Sequence, residues 1–232
     1  MLRIDKYLAD CGIGTRSEVK KYIKAKQITV NGEIILKPEL KIDENTDKVC
    51  FKGQPTQYEK YVYYMLHKPA GCVTAKQDNV HKTVMEYFSE DIRTKDISPV
   101  GRLDLDTEGL LIFTNDGSLT HHLLSPTHHI PKTYYAILDK ELPNGTIEQF
   151  KKGIDIGDEK ITLPAELMIL TDKEVELTIQ EGRFHQVKRM FEAVGCTVTY
   201  LKRISMGTLK LGDLPKGEYR KLSEEEVRAL QE

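Results

Sequence analysis

The sequence predicts an α+β protein: two short helices and a hairpin at the N-terminus, then a larger domain built on a mixed, largely antiparallel sheet. Three observations predict it. Helical apolar spacing, a capping box and an Asn-Gly turn crowd into the first fifty residues. Beyond residue 60, apolar runs of strand length are mixed irregularly with isolated helical stretches, unlike the regular succession of a parallel βαβ sheet. Between Gly109 and the turn signal Asn115-Asp116-Gly117 lies Leu110-Leu-Ile-Phe113, a continuous apolar run that reads as a buried strand.

In chain order, Leu2, Ile4, Leu8 and Ala9 share one face of a helix over 2–11, with Arg3, Lys6 and Asp10 opposite. Gly12-Ile-Gly14 ends it. Thr15-Arg-Ser-Glu18 opens a second helix with the apolar stripe Val19, Tyr22, Ile23. A hairpin over 28–35 turns at Asn31-Gly32, and 47–51 supplies a further strand. The polar stretch 53–59, with Gly53 and Pro55, is expected to be a linker. It divides a domain of residues 1–52 from one of 60–232 and lets the smaller one move. The second domain opens with a strand over 61–67 that runs into the rigid turn Lys68-Pro-Ala-Gly71. Residues 79–89 show helical spacing through Val80, Val84, Tyr87 and Phe88. Helices are expected at 118–124, 144–152 and 185–193, and strands at 132–138, 161–163, 165–170, 175–179, 198–205 and 208–211. A second capping box, Ser223-Glu-Glu-Glu226, opens the last helix.

Composition bounds the class. With 39% hydrophobic and 30% charged residues, the chain of 232 residues is of soluble globular type, and no apolar run is long enough to span a bilayer. The charged N-terminus lacks the apolar core of a signal peptide. Four scattered cysteines without a Cys-x-x-Cys pair argue against a disulfide framework or a zinc site and for a reducing cytoplasm. The total charge of -2 gives no global basic signal, but residues 1–26 carry seven Lys and Arg against three acids. Arg3, Arg16, Lys20, Lys21 and Lys24 make that end a candidate site for phosphates.

Arg3-Ile-Asp-Lys-Tyr-Leu8, Thr15-Arg-Ser-Glu18 and Ile28-Thr-Val-Asn-Gly-Glu33, in that order and spacing, resemble the S-four-like RNA-binding domain. Four later patches are Lys68-Pro-Ala-Gly71, Gly101-Arg-Leu-Asp-Leu-Asp-Thr-Glu-Gly-Leu-Leu111, Lys132-Thr-Tyr134 and Glu181-Gly-Arg-Phe-His-Gln-Val-Lys-Arg-Met190. With Gly207-Thr-Leu-Lys-Leu-Gly-Asp-Leu-Pro-Lys-Gly-Glu-Tyr-Arg220 they resemble the pseudouridine synthases, in particular the RsuA-type branch that acts on small-subunit rRNA.

The resemblance implies an isomerase that breaks the bond from ribose C1′ to N1 of a uridine, turns the base and joins C1′ to C5. Nothing is oxidised or hydrolysed, so no cofactor or metal is called for. By resemblance Asp104 is the carboxylate that acts as nucleophile or steadies positive charge at the sugar. Attack on the sugar, attack on the base and assistance in losing a ribose proton stay open. Lys188 is the implied cationic partner that keeps it ionised, where many relatives place an arginine. Tyr134 is the implied active-site tyrosine, able to stack on the base and to move its proton. Tyr135, its neighbour on the strand, is expected in the core. Arg102 either fills the space left by a flipped base or contacts phosphate. Lys68, Arg183 and Arg189 are expected to touch the RNA backbone.

Asp106 rivals Asp104, since an extended segment would point both the same way. The adjacent pairs His121-His122 and His128-His129 lack a completing ligand and read as surface histidines rather than a metal site. Lys188 and His185 favour the small-subunit branch. A large-subunit rRNA enzyme and a non-catalytic ribosome-assembly factor are the alternatives. The expected partner is ribosomal RNA within a small-subunit assembly intermediate, with no membrane, and the protein is expected to be a monomer.

Overall fold

A computed structural model describes all of residues 1–232, which form two units. The first comprises Met1–Val62 together with Phe88–Ser98; the second comprises Tyr63–Tyr87 and Pro99–Glu232.

In the first unit, helices Ile4–Asp10 and Arg16–Lys24 bury Ile4, Leu8, Val19 and Ile23 against the strand residues Ile28, Val30 and Val49. The first helix starts later than its periodicity suggests, because Leu2–Arg3 pairs as a strand with Lys41–Ile42. The capping box is present: Glu18 N–H donates to Thr15 Oγ1 at 3.3 Å, and Thr15 N–H to Glu18 Oε2 at 2.8 Å. Strand Ile28–Val30 lies between Glu33–Ile34 and Val49–Phe51. Asn31 and Gly32 turn the hairpin with φ of 52° and 88°, both positive as a type I′ turn requires.

The linker expected at 53–59 belongs to this unit instead. Lys52 and Gly53, at φ 49° and 79°, make a second tight turn, and Gln54–Pro55 pairs back onto Val49–Phe51. Thr56 Oγ1 donates to Val49 O at 3.1 Å, and the Tyr58 ring stacks on Tyr7 at 4.9 Å. Polar, Gly- and Pro-containing sequence suits a hairpin edge as well as a linker. The later segment Phe88–Ser98, with the short helix Glu90–Arg93, completes the unit, so the chain passes between the units three times.

The second unit carries a mixed sheet. Its strand order is Glu166–Ile169, Glu174–Ile179, Lys132–Leu138, Val198–Met206, Glu108–Thr114, Tyr63–Lys68, Tyr219–Lys221. Along this path only Val198–Met206 and Glu108–Thr114 run parallel, and their register pairs Arg203 with Gly109. All seven residues of Glu108–Thr114 are buried, as its apolar run requires. Gly109 sits at φ 109°, and a Cβ there would collide with the backbone of Arg203, so the parallel pair can form only with glycine. One core cluster includes Leu110 and Ile112 of this strand, Met65, Met206, Leu119 and Leu123 of helix Gly117–Leu124, and Leu230 of helix Glu224–Gln231. Asp116 caps the first of these helices, accepting from the N–H groups of Ser118 at 2.9 Å and Leu119 at 3.2 Å.

Two expectations change here, and one strand was not foreseen. Residues 79–89 form only a 3₁₀ turn at Val84–Tyr87, and Val80 is exposed. Local and cross-chain acceptors take the amides a helix would need: Val80 and His81 donate to Asp78 Oδ1, and Val84 to Val73 O. Residues 161–163 make a loop tied to Ile154 rather than a strand. Strand Tyr219–Lys221, too polar to announce itself, is an edge. Among the histidines, His122 and His128 stack on each other with ring centroids 4.5 Å apart.

Candidate active site

The segment after Gly101 is held by its backbone, which leaves the Asp104 side chain free to face outward. Thr74 Oγ1 donates to Leu103 O at 2.8 Å, and Gly71 N–H to Leu105 O at 2.8 Å. Lys68 stands beneath the loop, fully buried. Its Nζ donates to the carbonyl oxygens of Asp104 and Thr107 at 2.8 Å each, with longer contacts to Pro69 and Leu105. Burial lowers the Lys68 ammonium from its ordinary value, against the pull of nearby groups that include Asp104 and Glu108. The expected contact between Lys68 and RNA backbone is therefore corrected: a fully buried ammonium cannot reach a phosphate, and this one organises the loop.

Thr107 N–H donates to Asp104 O at 3.2 Å, so 104–107 is a turn rather than extended chain. The turn separates the two acids. Asp104 lines a cleft of about 560 Å³, and Asp106 lies outside it with 70% of its side chain exposed. Both meet Lys188, whose Nζ lies 3.4 Å from Asp104 Oδ2 and 2.6 Å from Asp106 Oδ1. Burial raises the Asp106 carboxyl, but its bond and charge contact with Lys188 hold it below the ordinary aspartate value. Lys188 thus bridges two carboxylates rather than serving one. His185 Nε2 lies 3.5 Å from Asp104 Oδ1.

Lys188 comes from helix Gln186–Ala193, entered through His185 in the left-handed region at φ 50°. Glu181 and Gln186 fix this entry: Gln186 Nε2 donates to Glu181 Oε1 at 3.0 Å, and Arg183 N–H to Gln186 Oε1 at 2.9 Å. Arg183 also bonds Glu181 and the Ile161 carbonyl, and both Arg183 and Arg189 pair with Asp158. These two arginines were expected on RNA backbone. Their donors are committed within the chain, where they tie loop 156–161 to the helix.

The same cleft receives Tyr134, Arg102 and Phe184. Tyr134 is buried and faces inward; Tyr135 faces the other way, half-exposed with Lys202 over its ring, so it is not a core tyrosine. Arg102 is exposed at the rim. Phe184 is 75% exposed and stacks on His185 with centroids 3.8 Å apart. Sequence reasoning passed over Phe184, although a phenylalanine between Arg183 and His185 has no apolar face to join. It also passed over Arg203, which is 2% exposed in the middle of its strand and lines the cleft. The signal there is an arginine two residues from Leu201, on the inward register of a strand.

In the first unit, the buried carboxylate of Asp5 accepts from Arg3 Nη2 at 3.0 Å and Arg16 Nη2 at 3.1 Å. Burial raises the Asp5 carboxyl, but the hydrogen bonds from the two arginines outweigh it and hold it below the ordinary value. Asp5 thereby aligns two half-exposed arginines, and Lys20, Lys21 and Lys24 stand exposed along the second helix. This is a surface suited to phosphates.

Residues 62–193, which contain Asp104, Tyr134 and Lys188, match the family model described as RNA pseudouridylate synthase. The chain belongs to the pseudouridine synthase family. Residues 2–47 match the model of the S4 domain. A curated synthase of Bacillus subtilis, "Uncharacterized RNA pseudouridine synthase YtzG", is 41% identical over 100% of this chain and 99% of its own length. "Ribosomal small subunit pseudouridine synthase A" of Escherichia coli K12 is 41% identical over 99% of this chain and 100% of its own. A solved structure titled "Crystal structure of pseudouridylate synthase" superposes with a TM-score of 0.71 at 38% identity, covering 99% of this chain and 100% of that one. The family resemblance drawn from the sequence, an RsuA-type pseudouridine synthase with an N-terminal S4 domain, is borne out.

Proposed function

We propose that this pseudouridine synthase converts a specific uridine of small-subunit ribosomal RNA to pseudouridine, with Asp104 as the catalytic carboxylate. The observation that carries the reading is the geometry at Asp104: a carboxylate on a backbone-anchored turn, facing a cleft, with the Lys188 ammonium 3.4 Å away. The full-length similarity to small-subunit synthases from several bacteria supports the substrate. The target base leaves its stack and enters the cleft beside Tyr134, whose phenol stacks on it and takes part in proton transfer. Arg102 at the rim serves the vacated stack or a flanking phosphate. Arg3, Arg16, Lys20, Lys21 and Lys24 hold the RNA backbone. The substrate is an assembly intermediate of the small subunit, and the enzyme acts as a cytoplasmic monomer. No helix is long and apolar enough to cross a membrane.

The direct test maps pseudouridine in rRNA from cells lacking the gene, and from the same cells given back the wild-type chain. One small-subunit uridine is expected to lose its modification and regain it. A site lost from large-subunit RNA would move the substrate, and no change at any uridine would favour an assembly role.

Two smaller effects follow from the cleft. Asp106→Asn leaves Lys188 to Asp104 alone and is expected to change kcat by less than about tenfold, because Asp106 lies outside the cleft. A larger loss, measured in single-turnover assays, would make it a partner in the chemistry. Phe184→Ala removes an exposed ring suited to stacking on a base. Stacking of this kind contributes about 1–3 kcal/mol. KM for RNA is expected to rise about tenfold and to recover with Phe184→Tyr, whereas an unchanged KM would assign the ring to packing on His185.

A further inference from the structure

The floor of the cleft holds positive charge that nothing in the reading above uses. Arg203 is 2% exposed and lines the cleft. Its Nε donates to Leu110 O at 2.8 Å, but its Nη2 is buried without any hydrogen-bond partner. Lys132 lines the same cleft, and its Nζ donates only to the Ile130 carbonyl at 2.8 Å. No ion pair neutralises either side chain. Burial and the charge of Arg203 push the Lys132 ammonium down to about 8. Beside them, Thr107 is 1% exposed and its Oγ1 is likewise buried, unpartnered and part of the cleft wall. Strand pairing sets Arg203 directly across from Tyr134, so the two side chains rise from one face of the sheet.

Leaving a buried guanidinium nitrogen unbonded and two like charges close together is costly in the free protein. Such an arrangement becomes favourable when negative charge develops against it, which is the design of a site complementary to a transition state. The reaction proposed above generates such a charge. Heterolysis of C1′–N1 leaves the bonding pair on the uracil, formally at N1 and delocalised over O2 and O4. The electron deficit at C1′ is met by the Asp104 carboxylate or by loss of a ribose proton. C5 then supplies the pair for the new bond to C1′ and releases its proton while N1 takes one up, and any proton lost from the ribose is returned there, so the sum is an isomerisation without any outside reagent. Backbone phosphate is the other anion in the system, but it is permanently charged and hydrated and suits the exposed Arg102 at the rim better than the floor.

We infer that Arg203 and Lys132 form an anion hole for the departing uracil, with the Thr107 hydroxyl as a further donor. The inference rests on the synthase reading. It assigns to these residues a part in the chemical step rather than in RNA binding or folding.

The test compares uridine with 5-fluorouridine at the target. Fluorine withdraws electron density, so the fluorinated base leaves with less help. Small-subunit rRNA is transcribed with either nucleotide and presented in the form, free or bound to small-subunit proteins, that the wild-type chain modifies. Single-turnover consumption of the target nucleoside, which reports C1′–N1 cleavage on both substrates because a C5–F carbon has no proton to release and the fluorinated base stops after the new bond to C1′, is followed by nucleoside mass spectrometry for wild type, Arg203→Met and Lys132→Met. Removing one such donor costs about 10²–10³-fold in rate. Arg203→Met is expected to lose about that factor on uridine and roughly tenfold less on 5-fluorouridine, with Lys132→Met smaller in the same sense. Equal losses on both substrates, or rates within twofold of wild type, would overturn the anion hole. Should Arg203→Met fail to fold, Lys132→Met decides, since its side chain has a single hydrogen bond to lose. A wild-type chain that converts neither RNA would instead remove the synthase reading and the inference with it.

Discussion

Asp104→Asn is expected to lower pseudouridine formation by about 10⁴-fold or more while leaving RNA affinity and thermal stability unchanged. The side chain is 31% exposed, and its contacts with Lys188 and His185 are long. Lys188 keeps its shorter ion pair with Asp106, so the substitution strands no buried charge, and the loop is held by backbone contacts that asparagine retains. The stability change should fall within about 0.5 kcal/mol. Asparagine preserves shape and hydrogen bonding but removes the charge and the nucleophile. Complementation of a deletion strain, with modification mapped at the target uridine, reads the activity; filter binding and thermal melting of the purified chain read the rest. A variant that retains activity within tenfold of wild type would take Asp104 out of the chemistry. A variant that also loses RNA binding would make it a docking residue.

Lys68→Met should act on stability and activity together. The ammonium is fully buried and reaches the carbonyls of Asp104 and Thr107 at 2.8 Å. Methionine fills similar space but donates nothing, leaving the buried Thr107 carbonyl without its donor and the Asp104 carbonyl with only the 3.2 Å bond from Thr107 N–H, at up to about 1–3 kcal/mol each. Relief from burying a charge offsets part of this, as the lowered ammonium pKa indicates. A net loss of about 2–4 kcal/mol corresponds to roughly 5–15 °C in melting midpoint for a chain of this size. The turn bearing Asp104 loses its anchor, so kcat falls even below the melting transition. Lys68→Arg should not rescue either property, because a fully buried ammonium gathers carbonyl oxygens around one atom, a geometry that the planar guanidinium fork does not reproduce. If Lys68→Met instead melts like wild type and only weakens RNA binding, the lysine reaches substrate after all.

Much of this was legible in the residues. Leu110-Leu-Ile-Phe113 announced a buried strand because an uninterrupted apolar run fits only an element covered on both faces. Thr15 and Ser223 announced helix starts because capping is a local interaction between neighbours. Three of the motifs, those holding Asp104, Tyr134 and Lys188, line one cleft. What was not legible depends on partners distant in sequence. Lys68 looked like a surface cation because its carbonyl partners lie 36 to 39 residues away. Arg183 and Arg189 looked free because Asp158 is 25 to 31 residues away. Asp5 read as an offset to basic charge, though it is the residue that aligns Arg3 with Arg16. Val80 to Phe88 kept helical spacing, but Asp78 and Val73 took the amides.

The three passages of the chain between units bear on synthesis. Phe88–Ser98 packs with the N-terminal unit, whose apolar core is drawn from residues 2–58, so the module that leaves a ribosome first already holds its core but lacks an outer piece. At about 5–20 residues per second, roughly 2–7 s separate the emergence of its first part from that of its last. During that interval the segment 1–62 exists without its final wall. A gene cut at residue 62 would keep that core and lose the outer contacts of 88–98, such as Lys95 with Glu59.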